Sequence, residues 1–479
     1  MEKNVYVAID LGAESGRIIA GDVESMEVIH RFPNTPVRIG DSLFWNALGI
    51  FSEIKKGLKD AFSRYGNRIV SLGVDTWGVD YGLLDLHGEL LGNPYHYRDS
   101  RTDNIPERVF EKVPREQVYR TTGIQIMQIN TLYQLYSFSR NHPEMFQAAR
   151  HLLTTPNLFN YWLSGALKSE YSITTTTQLY NPVKREWAYD LISSLGLKED
   201  LFGEIVMPGT VVGTLLPSIA QELGAPEGVR VVAVGCHDTA SAVAAVPALR
   251  GDDAPHYAYL SSGTWSLLGI ESPQPIITEA SSKYNFTNEG AADGGIRFLK
   301  NIMGLWIVQE CKRSWDESGK AYSYAELTQL AEEYGPADFT IDVSDDRFLK
   351  PGLIDESMPE RVEAYCRETG QTAPADVGGM VRGVLESLAH TYVETLDSVK
   401  EITGNPVEAL HIIGGGSQND LLSQLTADAA GIPVYAGPVE ATAIGNMLMQ
   451  AVTAGDIESL DAGRKRVRDA YSIKEFTPR

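Results

Sequence analysis

The chain contains one local pattern twice: an apolar run, a turn of small residues and a second apolar run. The pattern occurs in VAIDLGAESGRII at residues 7–19 and again in YAYLSSGTWSLLGI at residues 257–270. Apolar runs of about four to eight residues that are bounded by glycine turns are typical of buried strands. We therefore predict that one strand–turn–strand architecture is present twice, with the second copy starting near residue 255.

The length of 479 residues predicts two large domains, since a domain usually has roughly 100–200 residues. The two copies place an N-terminal domain at residues 1–248 and a C-terminal domain at residues 255–455, followed by a tail at residues 456–479. No long linker rich in Pro, Gly or Ser separates the copies. The hinge is therefore predicted to be short, near residues 245–256.

Helices are predicted between the strands, which favours an α/β fold class. Residues 50–65 and 377–402 have helical spacing of apolar side chains, and Gly404 follows the second of these helices where positive φ is favoured. Residues 102–225 are predicted to be mostly helix and loop. The last third is predicted to alternate between strand 409–413, helix 420–430, strand 434–435 and helix 441–454.

The composition restricts the partners of the protein. Lys and Arg number 41 against 63 Asp and Glu, and the net charge of −22 disfavours nucleic acid and anionic membranes. No signal-peptide pattern and no run of about 18 apolar residues occurs. Cys236, Cys311 and Cys366 lack CxxC spacing, which predicts neither a zinc site nor a disulfide framework and favours a reducing cytoplasm. The oligomeric state stays open, and a monomer is compatible with the sequence.

Three glycine-rich turns could bind phosphate through backbone N–H groups. In DLGAESGR (10–17), Ser15 adds a hydroxyl, Arg17 adds a cation, and Asp10 could hold Mg²⁺ through water. SSGT (261–264) is a similar turn in the second copy, and GGGSQN (414–419) joins a strand to a helix, where anions bind well. The alternative for each is a plain tight turn.

Two polar segments are candidates for sugar chemistry. DTWGVD (75–80) places carboxylates beside an indole, a mixture that suits hydroxyl groups and sugar C–H faces, and YRDSR (97–101) could add polar contacts. GCHDT (235–239) follows an apolar strand, where a charged residue is costly without a task or a partner. Asp238 could be a general base during phosphoryl transfer. The alternatives are a core tryptophan with a satisfied aspartate and a structurally paired Asp238.

Taken together, the segments DLG, HDTA, SSGTWS and GGGSQN resemble the FGGY carbohydrate kinases, which belong to the actin, Hsp70 and hexokinase group. The order and spacing match over roughly residues 4–450. Longer runs carry the same resemblance: VDTWGVDYGLLD, YRDSRT, NTLYQL, GCHDTASAV, FTNEG and LKNIMGLWIVQ. By contrast, GxxxxGK[ST] is absent, so the chain is not a P-loop enzyme, and the protein-kinase HRD and DFG motifs are absent too.

The resemblance implies two actin-like, ribonuclease-H-like lobes with ATP, Mg²⁺ and a small sugar in the cleft between them. It implies that Asp238 is the catalytic base in the transfer of the γ-phosphoryl group of ATP to L-rhamnulose. The expected sugar contacts are Gly78, His237, Asp238, Thr239 and Asn301, with Trp77 and Asp80 added from their residue types. The expected ATP contacts are Ala13, Glu14, Ser15, Gly16, Arg17, Thr264, Gln309, Gly414, Gly415 and Gly416, with Asp10 as the metal residue. Glu14 departs from the family pattern, which has a small hydroxyl residue at this position.

Three alternatives remain for the function. The chain could be a kinase of the same family for another ketose or polyol, such as fuculose, xylulose or glycerol. It could be an actin-like nucleotide switch that phosphorylates nothing, although a switch needs neither a sugar platform nor a sugar-directed base. A sugar-sensing regulator is disfavoured by the acidic charge and by the lack of an evident DNA-binding helix.

Overall fold

The computed structural model describes residues 3–248, 256–349 and 356–479. Two compact units are present. The first unit comprises Met1–Pro247, Glu271–Leu299 and Ala441–Tyr471, and the second comprises Ala248–Ile270, Lys300–Glu440 and Ser472–Arg479. The chain therefore passes between the units several times, whereas the sequence suggested consecutive domains.

Part of the predicted hinge, residues 249–255, lies outside the described residues, as does the predicted start of the second copy at residue 255. Residues 456–479, expected as a tail, contain a helix of the first unit and an edge strand of the second. In the ranges that are described, no helix is both long enough and apolar enough to span a membrane.

The strands are β1 (Val5–Leu11), β2 (Ser15–Gly21), β3 (Met26–Pro33), β4 (Val37–Ile39), β5 (Ser42–Phe44), β6 (Ile69–Thr76), β7 (Tyr81–Leu84), β8 (His151–Thr154), β9 (Ser169–Glu170), β10 (Tyr180–Asn181), β11 (Glu186–Trp187), β12 (Ile205–Val206), β13 (Thr210–Thr214), β14 (Arg230–Ala233), β15 (Tyr257–Ser262), β16 (Trp265–Ser272), β17 (Thr287–Gly290), β18 (Ile296–Met303), β19 (Ala409–Ile413), β20 (Val434–Ala436) and β21 (Lys474–Phe476).

The helices are α1 (Ala47–Tyr65), α2 (Ile105–Phe110), α3 (Arg115–Thr122), α4 (Thr131–Asn141), α5 (Pro143–Ala148), α6 (Thr155–Ser164), α7 (Tyr171–Thr175), α8 (Tyr189–Ser194), α9 (Pro217–Leu223), α10 (Asp238–Ala244), α11 (Glu279–Lys283), α12 (Trp306–Glu317), α13 (Tyr324–Tyr334), α14 (Met358–Glu368), α15 (Val377–Thr403), α16 (Asp420–Ala430), α17 (Ala441–Ala454) and α18 (Leu460–Ala470). Short 3-10 helices lie at Gly66–Arg68, Ser100–Thr102, Glu199–Leu201, Asp346–Phe348 and Gly415–Gln418.

The sheet of the first unit has the strand order β13-β14-β6-β1-β2-β3. Its centre is β1, which is buried along its whole length, runs antiparallel to β2 and runs parallel to β6. The next strand, β14, is parallel to β6, and the edge strand β13 is antiparallel to β14. The carboxyl ends of β1, β6 and β14 therefore meet at one edge of the sheet, which is where ligands bind in open α/β sheets.

In the described ranges, the second large sheet has the order β17-β18-β16-β15-β19-β20-β21, and its strands other than β17 repeat this plan. Here β15 runs antiparallel to β16 and parallel to β19, β19 is parallel to β20, and β21 is antiparallel to β20. The hairpins β1–β2 and β15–β16 thus hold the same place in the two sheets. This arrangement confirms the predicted repeat and the predicted α/β class.

The helix α15 shows why local sequence predicted several elements well. The Asp376 carboxylate accepts a hydrogen bond from the Gly379 N–H at its start, and Gly404 closes it with φ of 74°. One apolar face, including Val384, Leu388 and Tyr392, is buried in the core of the second unit. The segment 102–225 is mostly helix and loop, as predicted, and it also contains the short strands β8 to β13. Most of these strands have too few residues to show a period of two.

Candidate active site

Three carboxylates gather at the carboxyl-terminal edge of the first sheet. Asp10 and Asp75 lie side by side near the ends of the parallel strands β1 and β6. Asp238 begins α10, directly after the turn that follows β14, and this turn is joined to β6 by a bridge between Thr76 and His237. These three residues are far apart in the sequence, and the parallel strands place them at the same edge of the sheet.

The three carboxyl groups differ in exposure. The Asp238 side chain is 30% exposed, the Asp10 side chain is 6% exposed, and Asp75 is fully buried. Desolvation raises the pKa of Asp238, the neighbouring His237 opposes the rise, and the charge of Asp10 adds to it. Desolvation likewise raises the pKa of Asp75 well above its usual value, and the Asp10 charge contributes again. Asp238 is therefore the most accessible of the three carboxyl groups.

The Asp238 carboxylate is held by its neighbour in sequence. The backbone N–H of Thr239 donates to Asp238 Oδ1 at 2.5 Å, and the Thr239 hydroxyl donates to the same oxygen at 3.1 Å. The Nε2 atom of His237 lies 3.5 Å from Oδ1. These contacts fix the orientation of the carboxylate and direct its other oxygen, Oδ2, away from Thr239.

The first glycine turn is braced from two sides. The Gly12 N–H donates to the Ser15 carbonyl at 2.9 Å, and the Asn34 side chain donates to the Gly12 carbonyl at 2.9 Å. Arg17, predicted to contact phosphate, forms an ion pair with Asp10 across the β1–β2 ladder. Glu14 is exposed at the tip of the turn. The turn is thus rigid, and Asp10 already has one cationic partner.

In the described ranges, no group of three or more His, Cys, Asp or Glu side chains is arranged to hold a metal ion. The carboxylates of Asp10, Asp75 and Asp238 still form an acidic edge, which suits a hydrated cation held through water. The acidic edge therefore fits Mg²⁺ that keeps most of its water ligands.

Gly78 lies beside His237. An added Cβ at Gly78 would be 3.3 Å from His237 Nε2 and 3.4 Å from Thr176 Oγ1, so the absence of a side chain keeps the space next to the imidazole open. The structure therefore brings Gly78, His237, Asp238 and Thr239, four of the predicted sugar contacts, into one place.

Trp77 and Asp80 form a buried polar and aromatic cluster with Trp45. The indole N–H groups of Trp45 and Trp77 donate to Asp80 Oδ2 at 2.6 and 2.9 Å, and Gln134 donates to Asp80 Oδ1 at 2.9 Å. The rings of Trp45 and Trp77 pack against each other, with centroids 4.2 Å apart and planes tilted by 36°. Burial raises the pKa of Asp80 to about 6, and these donors oppose the rise. Both Asp80 oxygens have protein partners. Asp80 therefore holds Trp77, the residue next to Gly78, in place.

Sequence reasoning missed the residues that stand behind His237. The buried Glu170 carboxylate accepts hydrogen bonds from the N–H groups of Ser172 and Cys236, at 2.8 and 3.3 Å. Arg297, fully buried in β18, donates to His237 Nδ1 at 2.9 Å. The available signal was the charged residue inside the apolar run IRFL, since a buried charge requires a partner.

The second unit holds the remaining predicted nucleotide contacts. The turn between β15 and β16 contains Thr264, whose carbonyl accepts a hydrogen bond of 3.1 Å from the Trp306 N–H at the start of α12. Gln309 lies one turn further along α12, and its buried Oε1 has no hydrogen-bond partner among the described residues. Asn301, the predicted sugar contact of this unit, lies in β18.

The triple-glycine loop of the second unit packs on the same turn. Gly414 has φ of 84°, and an added Cβ at Gly416 would be 1.9 Å from Ser262 Oγ. The Ser262 hydroxyl is buried without a hydrogen-bond partner among the described residues, and an added Cβ at Gly415 would meet no atom within 4 Å. An open backbone beside unpartnered polar atoms fits a nucleotide with its phosphates.

The family follows from comparison with known proteins. Residues 5–245 match the N-terminal domain of the FGGY family of carbohydrate kinases, and residues 258–454 match its C-terminal domain. The chain belongs to this family. The family resemblance that was predicted from the motifs is confirmed, and the protein is a sugar kinase.

Two relatives are similar along nearly their whole length. A rhamnulokinase from Bacteroides thetaiotaomicron is 42% identical over 480 residues, covering 99% of this chain and 96% of the relative. A rhamnulokinase from Halalkalibacterium halodurans is 41% identical over 476 residues, covering 99% and 98%.

Solved structures of the family have the same fold at low identity. A xylulose kinase from Lactobacillus acidophilus has a TM-score of 0.80 at 15% identity, covering 99% of this chain and 94% of that one. A gluconate kinase from the same organism has a TM-score of 0.80 at 15% identity, covering 100% and 94%. The mixed α/β fold with two family domains is therefore confirmed.

Proposed function

We propose that the protein transfers the γ-phosphoryl group of ATP to L-rhamnulose, giving L-rhamnulose 1-phosphate and ADP. The choice of sugar rests on the two rhamnulokinase relatives, which are about 40% identical to this chain over nearly its full length. The chemistry rests on one structural observation: the partly exposed Asp238 carboxylate, oriented by Thr239, lies at the edge of the first sheet beside His237 and Gly78.

In this mechanism Asp238 is the general base. A sugar hydroxyl is a poor nucleophile at neutral pH unless its proton is removed as the new bond forms. Asp238 takes the proton of the O1 hydroxyl while O1 bonds to the γ-phosphorus and the bond from that phosphorus to the bridging oxygen of ADP breaks. The proton then passes from Asp238 to solvent, and ADP leaves as the second product. Positioning and charge neutralisation supply most of the acceleration.

We propose ATP contacts in each unit. In the first unit, the braced turn of residues 13–17 would offer backbone N–H groups to phosphates. In the second unit, Thr264, Gln309 and the loop Gly414–Gly416 are the proposed nucleotide contacts. Mg²⁺ would arrive with ATP as part of the substrate complex and would neutralise phosphate charge, with Asp10 holding it through water. Arg17 already pairs with Asp10, so the Asp10 carboxylate would neutralise the Arg17 guanidinium as well as hold the water of the metal ion.

The sugar contacts divide into two kinds. In the first unit, Gly78, His237, Asp238 and Thr239 would touch the sugar. In the second unit, Asn301 is the proposed sugar contact. Trp77 and Asp80 would act from behind, because the Asp80 oxygens are occupied by Trp45, Trp77 and Gln134. This division refines the expectation that both residues bind sugar directly.

We also propose that the reaction takes place in the cytoplasm. ATP is supplied there, and the three cysteines are free thiols, as a reducing compartment would keep them. The small sugar and ATP are the only partners that the proposal requires.

A panel of acceptors tests the proposal. The measurement is ADP release with ATP and, separately, L-rhamnulose, L-fuculose, D-xylulose and glycerol. We expect kcat/KM to be highest with L-rhamnulose. A higher kcat/KM with another acceptor would reassign the substrate within the family, and ATP hydrolysis that is independent of every sugar would favour the nucleotide-switch alternative.

A further inference from the structure

A buried ion-pair network lies directly behind His237. The Arg297 side chain is fully buried, and its Nε donates to the Gly290 carbonyl at 2.9 Å. Its Nη2 donates to Glu289 Oε2 at 3.2 Å and lies 2.9 Å from His237 Nδ1. The guanidinium is thus held in place by a carbonyl and a carboxylate, with one N–H group directed at the imidazole.

This contact favours one tautomer of the histidine. A guanidinium has donors and no acceptor, so the His237 Nδ1 must present its lone pair to Arg297. The neutral ring then carries its proton on Nε2. Nε2 is the nitrogen that lies 3.5 Å from Asp238 Oδ1 and next to the space kept open by Gly78.

The backbone of His237 is fixed as well, so the ring has a defined position. The His237 N–H donates to Ser172 Oγ at 3.2 Å, and the Ser172 hydroxyl donates to Glu170 Oε2 at 2.7 Å. Glu170 also accepts from the N–H of Cys236, the residue before His237. The direction of the Nε2–H bond is therefore set by the fold.

We propose that Arg297, anchored by Glu289, is a positioning residue that holds His237 in the Nε2–H tautomer so that this N–H donates to the substrate oxygen that Asp238 deprotonates. The inference rests on the proposed function, since it assigns a donor to the same sugar hydroxyl. It adds two residues, Arg297 and Glu289, that act on the reaction through His237. The donor orients the hydroxyl oxygen while the carboxylate takes its proton.

Removing Arg297 should reverse the tautomer because of Glu289. The Glu289 Oε2 atom lies 3.3 Å from His237 Nδ1. Without the guanidinium, this carboxylate stays beside the imidazole and favours a proton on Nδ1, from which it can accept a hydrogen bond. The Nε2 nitrogen then either loses its proton or belongs to a doubly protonated, positively charged ring. In both cases the neutral Nε2–H donor toward the substrate is lost.

The test is long-range ¹H–¹⁵N spectroscopy of the protein with ¹⁵N-labelled histidine, with His237 assigned from its loss in His237→Asn. We expect the wild type to show an unprotonated Nδ1 and a protonated Nε2. Arg297→Met should move Nδ1 to the protonated range, and Arg297→Lys, which keeps a cationic donor, should restore much of the wild-type pattern. A merely structural role would leave the tautomer unchanged in a folded variant.

Arg464→Met is the matched control. Arg464 is also a buried arginine of the first unit, and it pairs with Glu271 at 2.9 Å and donates to the carbonyls of Ala244 and Val243. Its loss removes a comparable buried ion pair without touching His237. The His237 signals should be those of the wild type in this variant.

In the kinetic measurement, the two substrates should respond differently to the substitution. Arg297→Met should lower kcat/KM for the sugar by about 10- to 100-fold, the range found when the partner that orients a metal-ligating histidine is removed. The KM for ATP should change by less than about 2-fold, because the network does not touch the predicted nucleotide contacts.

The outcomes separate the two proposals. A wild type that phosphorylates sugar but has a protonated Nδ1 at His237 overturns the role of Arg297 and leaves the proposed function standing. An unchanged His237 tautomer in Arg297→Met also overturns the role of Arg297. If Arg297→Met does not fold, the wild-type spectrum and Arg297→Lys decide. A wild type that phosphorylates none of the sugars removes the proposed function, whatever the tautomer is.

Discussion

The carboxylate of Glu170 accepts a hydrogen bond of 3.3 Å from the backbone N–H of Cys236, a residue 66 positions later in the chain. The same carboxylate also accepts from the N–H groups of Ser172 and Ile173 and from the Ser172 hydroxyl. It thereby joins the start of α7 to the turn that presents His237 and Asp238. The position of the proposed base therefore depends on a residue with no chemical role of its own.

Glu170→Gln should destabilise the protein and disturb this turn. The amide N–H₂ group of glutamine would face donors that now have an acceptor, and each buried donor left unsatisfied costs about 1–3 kcal/mol. We expect a lower Tm and a lower kcat. Glu326→Gln is the control, because Glu326 accepts hydrogen bonds from Ser323 at an exposed helix start. Equal Tm values for Glu170→Gln and the wild type would contradict the role of Glu170.

The same variant should have a different dependence of stability on pH. Burial raises the pKa of Glu170 to about 7 from 4.5, and its hydrogen bonds oppose the rise. The folded state therefore holds a proton that the unfolded state has released between about pH 4.5 and 7, so the contribution of Glu170 to stability falls as pH rises through this window. The Tm difference between wild type and Glu170→Gln should be larger at pH 5 than at pH 8. A constant difference would sink this expectation.

Asp238→Asn should keep substrate binding and lose turnover. The amide cannot accept the hydroxyl proton, and loss of a general base typically costs about 10²–10⁴-fold in rate. The checks are kcat from ADP release and Kd for ATP from calorimetry. Asp190→Asn serves as the control, since Asp190 is 88% exposed and pairs only with Lys184 among the described residues. Near wild-type turnover in Asp238→Asn would remove Asp238 from the role.

The acidic limb of the pH profile should report Asp238. Desolvation raises its pKa above the usual 3.8, the neighbouring His237 lowers it, and the charge of Asp10 raises it further. The base must be ionised to work, so kcat/KM for the sugar should be level above the raised pKa and fall about tenfold per pH unit below it. A limb centred at or below pH 3.8 would exclude this assignment.

Gly78→Ala should weaken sugar binding selectively. The new Cβ would be 3.3 Å from His237 Nε2 and 3.4 Å from Thr176 Oγ1, in the space that the sugar is proposed to use. We expect KM for the sugar to rise by about 10-fold or more, which corresponds to about 1.4 kcal/mol, with KM for ATP unchanged. Gly203→Ala is the matched control, because its Cβ would meet only the Leu167 carbonyl at 3.8 Å. An unaltered sugar KM in Gly78→Ala would place the sugar elsewhere.

Gly416→Ala and Gly415→Ala form a matched pair in the second unit. The Cβ of the first would be 1.9 Å from Ser262 Oγ, whereas that of the second would meet nothing within 4 Å. Gly416→Ala should lower Tm and raise KM for ATP, since overpacking typically costs about 1–3 kcal/mol. Gly415→Ala should leave Tm at the wild-type value. Similar Tm values for both variants would show that the close approach of Gly416 to Ser262 is not needed.

Part of this protein was readable from local sequence. The strand β19 and the helices α16 and α17 have the predicted bounds, because hydrophobic periodicity and capping residues act within one element. The repeat of the strand–turn–strand pattern predicted the two equivalent sheets. Asp238 was conspicuous as a charged residue directly after a buried strand.

Other features had no local signal. The Asp80 carboxylate is engaged by Trp45, 35 residues earlier, and by Gln134, 54 residues later. These partners occupy both oxygens of Asp80, and its contact with the sugar stays a prediction. The chain also alternates between the two units, which composition and linkers did not indicate.

Residue patterns were enough to predict the fold class, the repeated sheet plan, the family and the candidate base, because each depends on short-range patterns of residue type. The groups that surround that base could be identified only in the folded chain. Arg297, Glu289 and Glu170 reach His237 and its turn from strands far away in the chain, and their hydrogen bonds exist only where the backbone brings donor and acceptor within about 3 Å. Such pairings leave no periodic trace in the sequence, since they depend on distance in space.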